Sequence, residues 1–133
     1  MSCYELRLGN YVLVNKNLLK ISGITPTTVS TIDANEQSEQ IVLQHNLSDI
    51  QPVPLTDDVL KQCGFAYHDY FKIWQLRTTG PKSELDIDRD YNVIDFMRKP
   101  LVSKLTSLHQ LQNSYFMMKG EELEFSPAVS VVA

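Results

Sequence analysis

Residues 101–119 are the part of the chain that most restricts how it can fold. Apolar side chains recur there at steps of three or four residues: Leu105, Leu108, Leu111, Tyr115 and Met118. This spacing places them on one face of an amphipathic α-helix. Glycine is common directly after the last residue of a helix, and Gly120 follows this segment. The pattern therefore predicts a long C-terminal helix over 101–119 that packs on the second of two β-rich regions.

Three polar side chains belong to this predicted helix. His109 lies at the border of the apolar face, Gln112 lies within it, and Asn113 is expected on the outer face. One interpretation is a small polar recognition site where helix and sheet meet, formed by His109 and Gln112. The other is structural, because an unpaired buried amide costs about 1–3 kcal/mol and Gln112 would then bond backbone groups of a strand or loop end. We favour the structural interpretation.

The first third of the chain has the composition of short strands. Runs rich in β-branched or alternating apolar residues are separated by polar turns, and they predict strands at 11–14, 18–21, 27–32 and 40–44. Asn15-Lys16-Asn17 is a compact polar turn, so the first two strands are expected to form a hairpin. The segment 33–39 is polar and is expected to be a loop. These features predict a small antiparallel sheet that could curl into a partial barrel.

A short helix is predicted in the middle of the chain. Thr56 can cap its N-terminus, Asp57 and Asp58 suit its first turn, and Gly64 is a good terminator. Further strands are then predicted at 65–67, 70–76, 84–88 and 91–97, with a loop at 78–83. After the long helix, Leu123 is expected to pack back onto the fold together with Phe125.

The predicted fold class is therefore α+β. It consists of small antiparallel sheets, one short middle helix and one long C-terminal helix packed on the sheet. We expect a single domain over 1–133, with a β-rich part at 1–50, an α+β part at 51–125 and a flexible tail at 126–133.

Composition restricts the setting in which the protein works. The chain has 133 residues, a net charge of −4 and only two cysteines, Cys3 and Cys63. The acidic balance argues against a broad electrostatic surface for nucleic acid or an acidic membrane, and two cysteines do not make a disulfide framework. With no apolar run that could span a bilayer and no apolar signal core, we expect a cytoplasmic protein.

No metal motif is complete. The helix lacks the HExxH pattern of zinc proteases. Asp86, Asp88 and Asp90 resemble the start of an EF-hand loop, but Tyr91 replaces the required glycine and Met97 the required glutamate. Because these aspartates alternate with apolar residues, we predict instead that they lie on the solvent-exposed face of a strand. No metal and no cofactor is expected.

Cys63 is the best nucleophile candidate that the sequence offers. Its base would be His45, His68 or His109. The predicted position near a helix C-terminus disfavours a thiolate, so Cys63 is expected to be a small buried hydrophobe. We therefore expect the protein not to be an enzyme.

Aromatic and basic residues alternate around Trp74. Tyr70, Lys72 and Trp74 are predicted on one face of a strand, with Phe71 on the other. On an exposed sheet such residues could stack the bases of single-stranded nucleic acid. Because neither face is cleanly polar, a core or protein-interface role is favoured.

Three blocks of the sequence occur together in one known family. They are ELRLGNYV at 5–12, PVPLTDDVLKQCGF at 52–65 and HQLQNSYFMMKGEEL at 109–123. The chain thereby resembles a family of short uncharacterised proteins from bacterial genomes, prophages and other mobile elements. Ser114 and Val53 depart from the residues common in that family. The resemblance implies a bacterial or phage-related origin and carries no activity, cofactor or site residue.

Two functions follow as hypotheses. The favoured one is a non-enzymatic protein-binding or accessory module, whose partner is another protein or a second copy of the chain. The alternative is a nucleic-acid-binding module that uses the aromatic and basic strand around Trp74. Candidate binding residues are His109, Gln112, Tyr70, Lys72 and Trp74.

Overall fold

The computed structural model describes residues 1–33, 42–77 and 84–127. Its contacts divide the chain into two compact units. The first comprises Met1–Pro54 and Ser107–Asn113, and the second comprises Leu55–Thr106 and the chain from Ser114 onward. Each unit contains a five-stranded antiparallel sheet, and the chain has a short and a longer α-helix, which confirms the predicted α+β class.

The first unit is built on a sheet whose last strand returns to pair with its first. The strands are β1 (Tyr11–Val14), β2 (Asn17–Ile24), β3 (Thr28–Asp33), β4 (Leu43–Asn46) and β5 (Gln51–Pro52). They lie in the order β4-β3-β2-β1-β5, and a 3-10 helix, Leu47–Asp49, precedes β5. In the described ranges β4 and β5 do not pair with each other, so hydrogen bonds do not close this sheet into a barrel.

The predicted hairpin between β1 and β2 is confirmed. Val14 pairs with Asn17, which leaves a two-residue turn made of Asn15 and Lys16. Their φ angles are 50° and 67°, and positive φ at both positions defines the type I′ turn that suits the twist of a hairpin. The register places Val12 and Val14 in the core of this unit. The core also contains Leu6, Leu19, Ile21, Val29, Leu47 and Ile50.

The second unit begins with the short helix and continues as a meander. Helix α1 (Asp57–Gln62) is capped by Thr56, whose Oγ1 accepts a hydrogen bond from Val59 N at 3.2 Å. Gly64 follows it with a φ of 94°, as expected for a glycine terminator. The strands are β6 (Phe65–His68), β7 (Ile73–Leu76), β8 (Leu85–Asp88), β9 (Val93–Ile94) and β10 (Pro100–Val102). They lie in the order β10-β9-β8-β7-β6.

Two predicted strands of this unit were too long. Strand β7 begins at Ile73 and not at residue 70, because Lys72 has a φ of 56° and belongs to a turn. Strand β9 spans two residues, because Tyr91 has a φ of 64° and the Asp95 carboxylate accepts hydrogen bonds from Met97 N and Lys99 N. Left-handed residues and a capping carboxylate end a strand whatever its apolar pattern.

The C-terminal helix is also shorter than predicted. Helix α2 covers Leu108–Lys119, whereas the apolar period predicted a start at residue 101. Residues of β10 pair with β9 instead, and Lys104 has a φ of 43°, which no α-helix contains. Leu105 is buried, although it lies before the first residue of the helix. Residues 108–113 belong to the first unit and those from Ser114 to the second, so the prediction that the whole helix packs on the second sheet was wrong.

Several predictions concern segments at the limits of the described ranges. The strand expected at 40–44 is observed as β4, which begins at residue 43. The loop expected at 33–39 lies outside the described residues except for residue 33, and the loop expected at 78–83 lies entirely outside them. Leu123 is buried as expected, and Ser126 N donates to Gln62 O at 3.0 Å. The rest of the tail, from residue 128, also lies outside them. The single domain stays a prediction. In the described ranges no helix is both long and apolar enough to cross a membrane.

Candidate functional site

The polar residues of helix α2 meet a tight turn that precedes β1. Asn10 N donates to Arg7 O at 3.1 Å, and Gly9 occupies the third position of this turn with a φ of 90°. A type II turn requires positive φ at that position, which glycine adopts without strain. Gly9 N donates to Ile21 O at 2.8 Å, and Ile21 N donates to Asn10 O at 2.9 Å. The turn is thereby fixed to β2.

Gln112 bonds the backbone on both sides of Asn10. Its Oε1 accepts from Tyr11 N at 3.0 Å and from Asn10 Nδ2 at 3.4 Å, and its Nε2 donates to Gly9 O at 3.1 Å. Only 1% of Gln112 is exposed. These are the bonds that the structural interpretation predicts, because the amide satisfies backbone groups at the start of a strand.

Asn113 extends the same cluster. Its Oδ1 accepts from Asn10 Nδ2 at 2.8 Å, and its Nδ2 donates to Glu5 O at 3.0 Å. The expectation that Asn113 lies on the outer face of the helix was wrong. Asn10 is fully buried, and its Oδ1 accepts from Arg7 N at 2.7 Å. Both side-chain atoms of Asn10 are therefore occupied within the fold.

His109 lies one turn before Asn113 and is also buried. Its Nε2 is 3.8 Å from Glu5 Oε1, while its Nδ1 has no hydrogen-bond partner in the described residues. Burial lowers the pKa of His109, and the nearby Glu5 carboxylate acts in the opposite direction. The ring is mainly neutral at neutral pH. His109 and Gln112 thus belong to one polar cluster, which we call the Asn10 cluster: Glu5, Gly9, Asn10, Tyr11, His109, Gln112 and Asn113.

The aromatic and basic candidates lie in the second unit and do not form one strand face. Trp74 is in β7 and is 4% exposed, and its neighbour Ile73, on the opposite face of the strand, is also buried. Both faces of β7 are therefore covered at Ile73 and Trp74. Tyr70 and Lys72 precede the strand in an exposed loop, so the expected shared face with Trp74 was wrong.

The loop that holds Tyr70 contacts a second loop that the sequence did not single out. Arg98 donates from a guanidinium nitrogen to Phe71 O at 2.7 Å, which joins residues 69–72 to residues 95–99. Tyr70, Phe96 and Met97 are 83%, 92% and 65% exposed. We call residues 69–72 and 95–99 together the aromatic–basic loops. Phe96 and Met97 were missed because alternation placed them at the end of a predicted strand.

The side chains around Trp74 line an open cleft of about 540 Å³ in the second unit. Its lining residues are Asp57, Lys61, Tyr67, Trp74, Arg89 and Tyr91. The rings of Tyr67 and Trp74 pack edge to face, with centroids 5.2 Å apart. The hydroxyl of Tyr91 donates to Asp57 Oδ1 at 2.7 Å. Burial, together with Asp57, raises the pKa of Tyr91 to about 12, so the hydroxyl keeps its proton.

The other residues considered for chemistry have structural positions. Cys63 is buried at the end of α1, and burial raises the pKa of its thiol to about 12, which disfavours the thiolate. His45 Nε2 lies 3.1 Å from Thr31 Oγ1, and His68 Nδ1 accepts from Phe71 N at 3.4 Å.

Asp88 stabilises the loop between β8 and β9. Its Oδ1 accepts from Asp90 N and from Asn92 N, both at 2.9 Å, and its Oδ2 accepts from Asn92 Nδ2 at 3.0 Å. This is the geometry of an aspartate that caps a turn, and it gives Asp88 a structural role.

Comparison of the chain with protein-family models, with curated proteins and with solved structures finds no match.

Proposed function

We propose that this chain is a non-enzymatic protein-binding or accessory module of a bacterial or mobile-element system and that it acts in the cytoplasm. The setting rests on the resemblance of three sequence blocks to uncharacterised bacterial and prophage proteins. The binding role rests on one structural observation, which is the pair of aromatic–basic loops joined through Arg98 and Phe71.

The residue types of these loops support a protein partner. Tyr, Phe, Met and Arg are enriched where proteins meet, and Tyr and Arg are among the residues that most often dominate binding energy. Tyr70, Phe96 and Met97 expose large apolar side chains on two loops that are held together by a hydrogen bond. Loops already ordered in this way lose less conformational entropy on binding than free ones would.

The charges of the loops favour an acidic partner surface. They carry three cations, Lys72, Arg98 and Lys99, against two carboxylates, Asp69 and Asp95, in a chain of net charge −4. The Asp95 carboxylate is occupied by two backbone N–H groups of its own loop. We therefore propose that the partner presents an apolar contact flanked by Asp or Glu.

The nucleic-acid alternative has weaker support in its original form. It required a stacking ring at Trp74 on an exposed strand, and that ring is 4% exposed. A base that stacks on an aromatic side chain needs an accessible ring face. The most exposed rings of the second unit are Tyr70 and Phe96, which belong to the loops for which protein binding is proposed above.

The test is site-specific photo-crosslinking in cells. A photo-reactive phenylalanine analogue replaces Phe96, and in a matched control it replaces Tyr4, which is 96% exposed and lies in the first unit. We expect a protein to be captured from position 96 and not from position 4. That protein is then purified and titrated with the wild-type chain and with Phe96→Ser.

Loss of one apolar anchor is expected to weaken binding at least about tenfold, while Tyr4→Ser leaves it unchanged. If the crosslinked species is a second copy of the chain, light scattering measures the oligomeric state of wild type and of Phe96→Ser. The variant is then expected to self-associate less than the wild type. Equal affinity of wild type and Phe96→Ser for the captured protein would show that the aromatic–basic loops are not the binding surface.

A further inference from the structure

We propose that the cleft of the second unit binds a nucleotide, with its phosphate at Lys61 and Arg89 and its base against the aromatic residues. The site is separate from the aromatic–basic loops and does not depend on the proposed protein partner. Three features of the cleft carry this inference: its cations, which are unpaired within the described residues, its aromatic wall and the strained loop that contributes Arg89 and Tyr91.

The cations of the cleft are not neutralised by its carboxylate. Asp57 accepts the Tyr91 hydroxyl, and within the described residues the side chains of Lys61 and Arg89 have no hydrogen bond or salt bridge. Two cations and one hydrogen-bonded carboxylate leave the lining with a net positive charge in an acidic chain. Such a lining favours an anion, and Arg and Lys are the usual protein ligands of phosphate.

The aromatic residues select a planar group beside that anion. Tyr67, Trp74 and Tyr91 all line the cleft, and Tyr67 is fixed against Trp74 at 5.2 Å in an edge-to-face pair. Trp74 is mostly covered, so the accessible aromatic surface comes mainly from the two tyrosines. Each base has a π-face, and stacking on an aromatic side chain binds it with little sequence preference.

The backbone around the cleft is held in a costly conformation. Tyr91 has a φ of 64°, which is unfavourable for a bulky residue. It is fixed there by Leu105 N, which donates to Tyr91 O at 2.9 Å, and by its own hydroxyl on Asp57. The Asp88 cap fixes the same loop, which also carries Arg89. Backbone strain of this kind concentrates at binding sites, where it positions a side chain before the ligand arrives.

Helix α1 supplies the opposite side of the cleft. Asp57 and Lys61 are four residues apart, and this spacing places both side chains on one face of the helix. The cleft measures about 540 Å³, within the roughly 300–1,000 Å³ typical of small-ligand sites. A mononucleotide fits such a volume, and an open cleft also admits one nucleotide of a single strand.

The chain contains a single tryptophan, and that residue lines the cleft, so its fluorescence reports on this site alone. The wild-type protein is titrated with AMP, adenosine, inorganic phosphate and a single-stranded oligonucleotide of about ten nucleotides. Tryptophan emission is excited where adenine does not absorb, and calorimetry provides an independent affinity. We expect AMP to bind with a Kd of about 0.1 mM and to bind more tightly than adenosine or phosphate.

Charge-removing variants then test the assignment. Arg89→Gln and Lys61→Gln are each expected to raise the Kd for AMP about tenfold, because each removes a charge-assisted contact. Arg77→Gln is the matched control, since this exposed arginine of the same unit is outside the cleft lining. Phe96→Ser is the second control, and it should leave AMP binding unchanged.

The two sources of a nucleotide are separated by the ligand series. Equal affinity per site for AMP and the oligonucleotide assigns the cleft to a free nucleotide, and much tighter, salt-dependent binding of the oligonucleotide assigns it to a strand. The proposal is overturned if AMP changes neither fluorescence nor heat up to about 10 mM, or if Arg89→Gln binds AMP as wild type does. Equal binding of adenosine and AMP, or of phosphate and AMP, also overturns it.

Discussion

The Asn10 cluster of the first unit and the aromatic–basic loops of the second use their polar groups in opposite ways. In the cluster, the amides of Asn10, Gln112 and Asn113 bond one another and the backbone, and Asn10 and Gln112 are buried. In the loops, one guanidinium bond joins two turns and leaves aromatic and cationic side chains exposed. Both arrangements contain residues that suit recognition, but of the two only the loops expose such side chains to solvent.

The contrast shows why residue type alone is a poor guide to a binding site. A buried amide with all its bonds made contributes to stability, because removing it leaves other buried groups unsatisfied. An exposed aromatic ring contributes little to stability and remains available for binding. Substitutions in the two regions should therefore separate cleanly into effects on folding and effects on binding.

The largest expected effect is that of Gln112→Leu. This change leaves Tyr11 N and Gly9 O without the partners that they have in the wild type. Both bonds are part-buried, and since an unsatisfied buried group costs about 1–3 kcal/mol, we expect a loss of about 2 kcal/mol in the free energy of unfolding. Urea denaturation monitored by circular dichroism measures it.

Gln110→Leu provides the control on the same helix, because Gln110 is exposed. Its effect should stay within about 0.5 kcal/mol. If Gln112→Leu is as stable as wild type, the amide merely fills space. The hydrogen bonds of Gln112 in the Asn10 cluster would then not contribute to the free energy of unfolding.

The second effect concerns pH. Burial lowers the pKa of His109 in the folded state, so the unfolded chain binds the proton more readily. This contribution to stability is complete above the unfolded-state pKa of about 6.5 and is lost as the pH falls below it, by at most about 1.4 kcal/mol per pH unit.

Urea denaturation at several pH values between about 5.5 and 7.5 measures this slope. His109→Gln should flatten this slope. A slope that is the same in wild type and His109→Gln would show that the buried ring does not couple folding to pH.

A smaller effect is expected for the contact between Asn10 and Asn113. The two side chains are joined at 2.8 Å, so a double-mutant cycle with Asn10→Ala and Asn113→Ala should give a coupling free energy of about 1 kcal/mol. Additive single effects would indicate that each asparagine acts through its other partners and not through this contact.

The smallest expected effect on stability is that of Phe96→Ser. Its ring is 92% exposed, so the free energy of unfolding should change by less than about 0.5 kcal/mol. Thermal denaturation checks this, and the same variant is the one expected to lose partner binding. A large loss of stability would place Phe96 among the packed residues and would remove the distinction between the two regions.

Features with local causes could be predicted from the sequence. The cap at Thr56, the terminator at Gly64 and the turn at Asn15 and Lys16 each depend on residues within one turn of chain. Their side-chain chemistry and permitted φ angles are enough to specify them. The α+β class followed from the sum of such local signals.

Features with distant causes could not. The apolar period continues back to Leu105, but the helix begins at Leu108 because residues 100–102 pair with β9. The aromatic–basic loops depend on a bond between Arg98 and Phe71, which are 27 positions apart. No periodicity reveals such a contact, since it arises only when separate segments fold against each other.

The bonds of Gln112 also have a consequence for the order of folding during synthesis. Gln112 lies 102 positions after Asn10, and the whole first sheet is made before it. Synthesis proceeds at about 5–20 residues per second, so Gln112 is added roughly 5–20 s after Asn10. During this time the turn at Gly9 and Asn10 lacks the amide that bonds its backbone groups. In a nascent chain arrested before residue 112, the first sheet should therefore lack the hydrogen bonds of Gln112. Such a chain should be cleaved by proteases more readily than the finished chain.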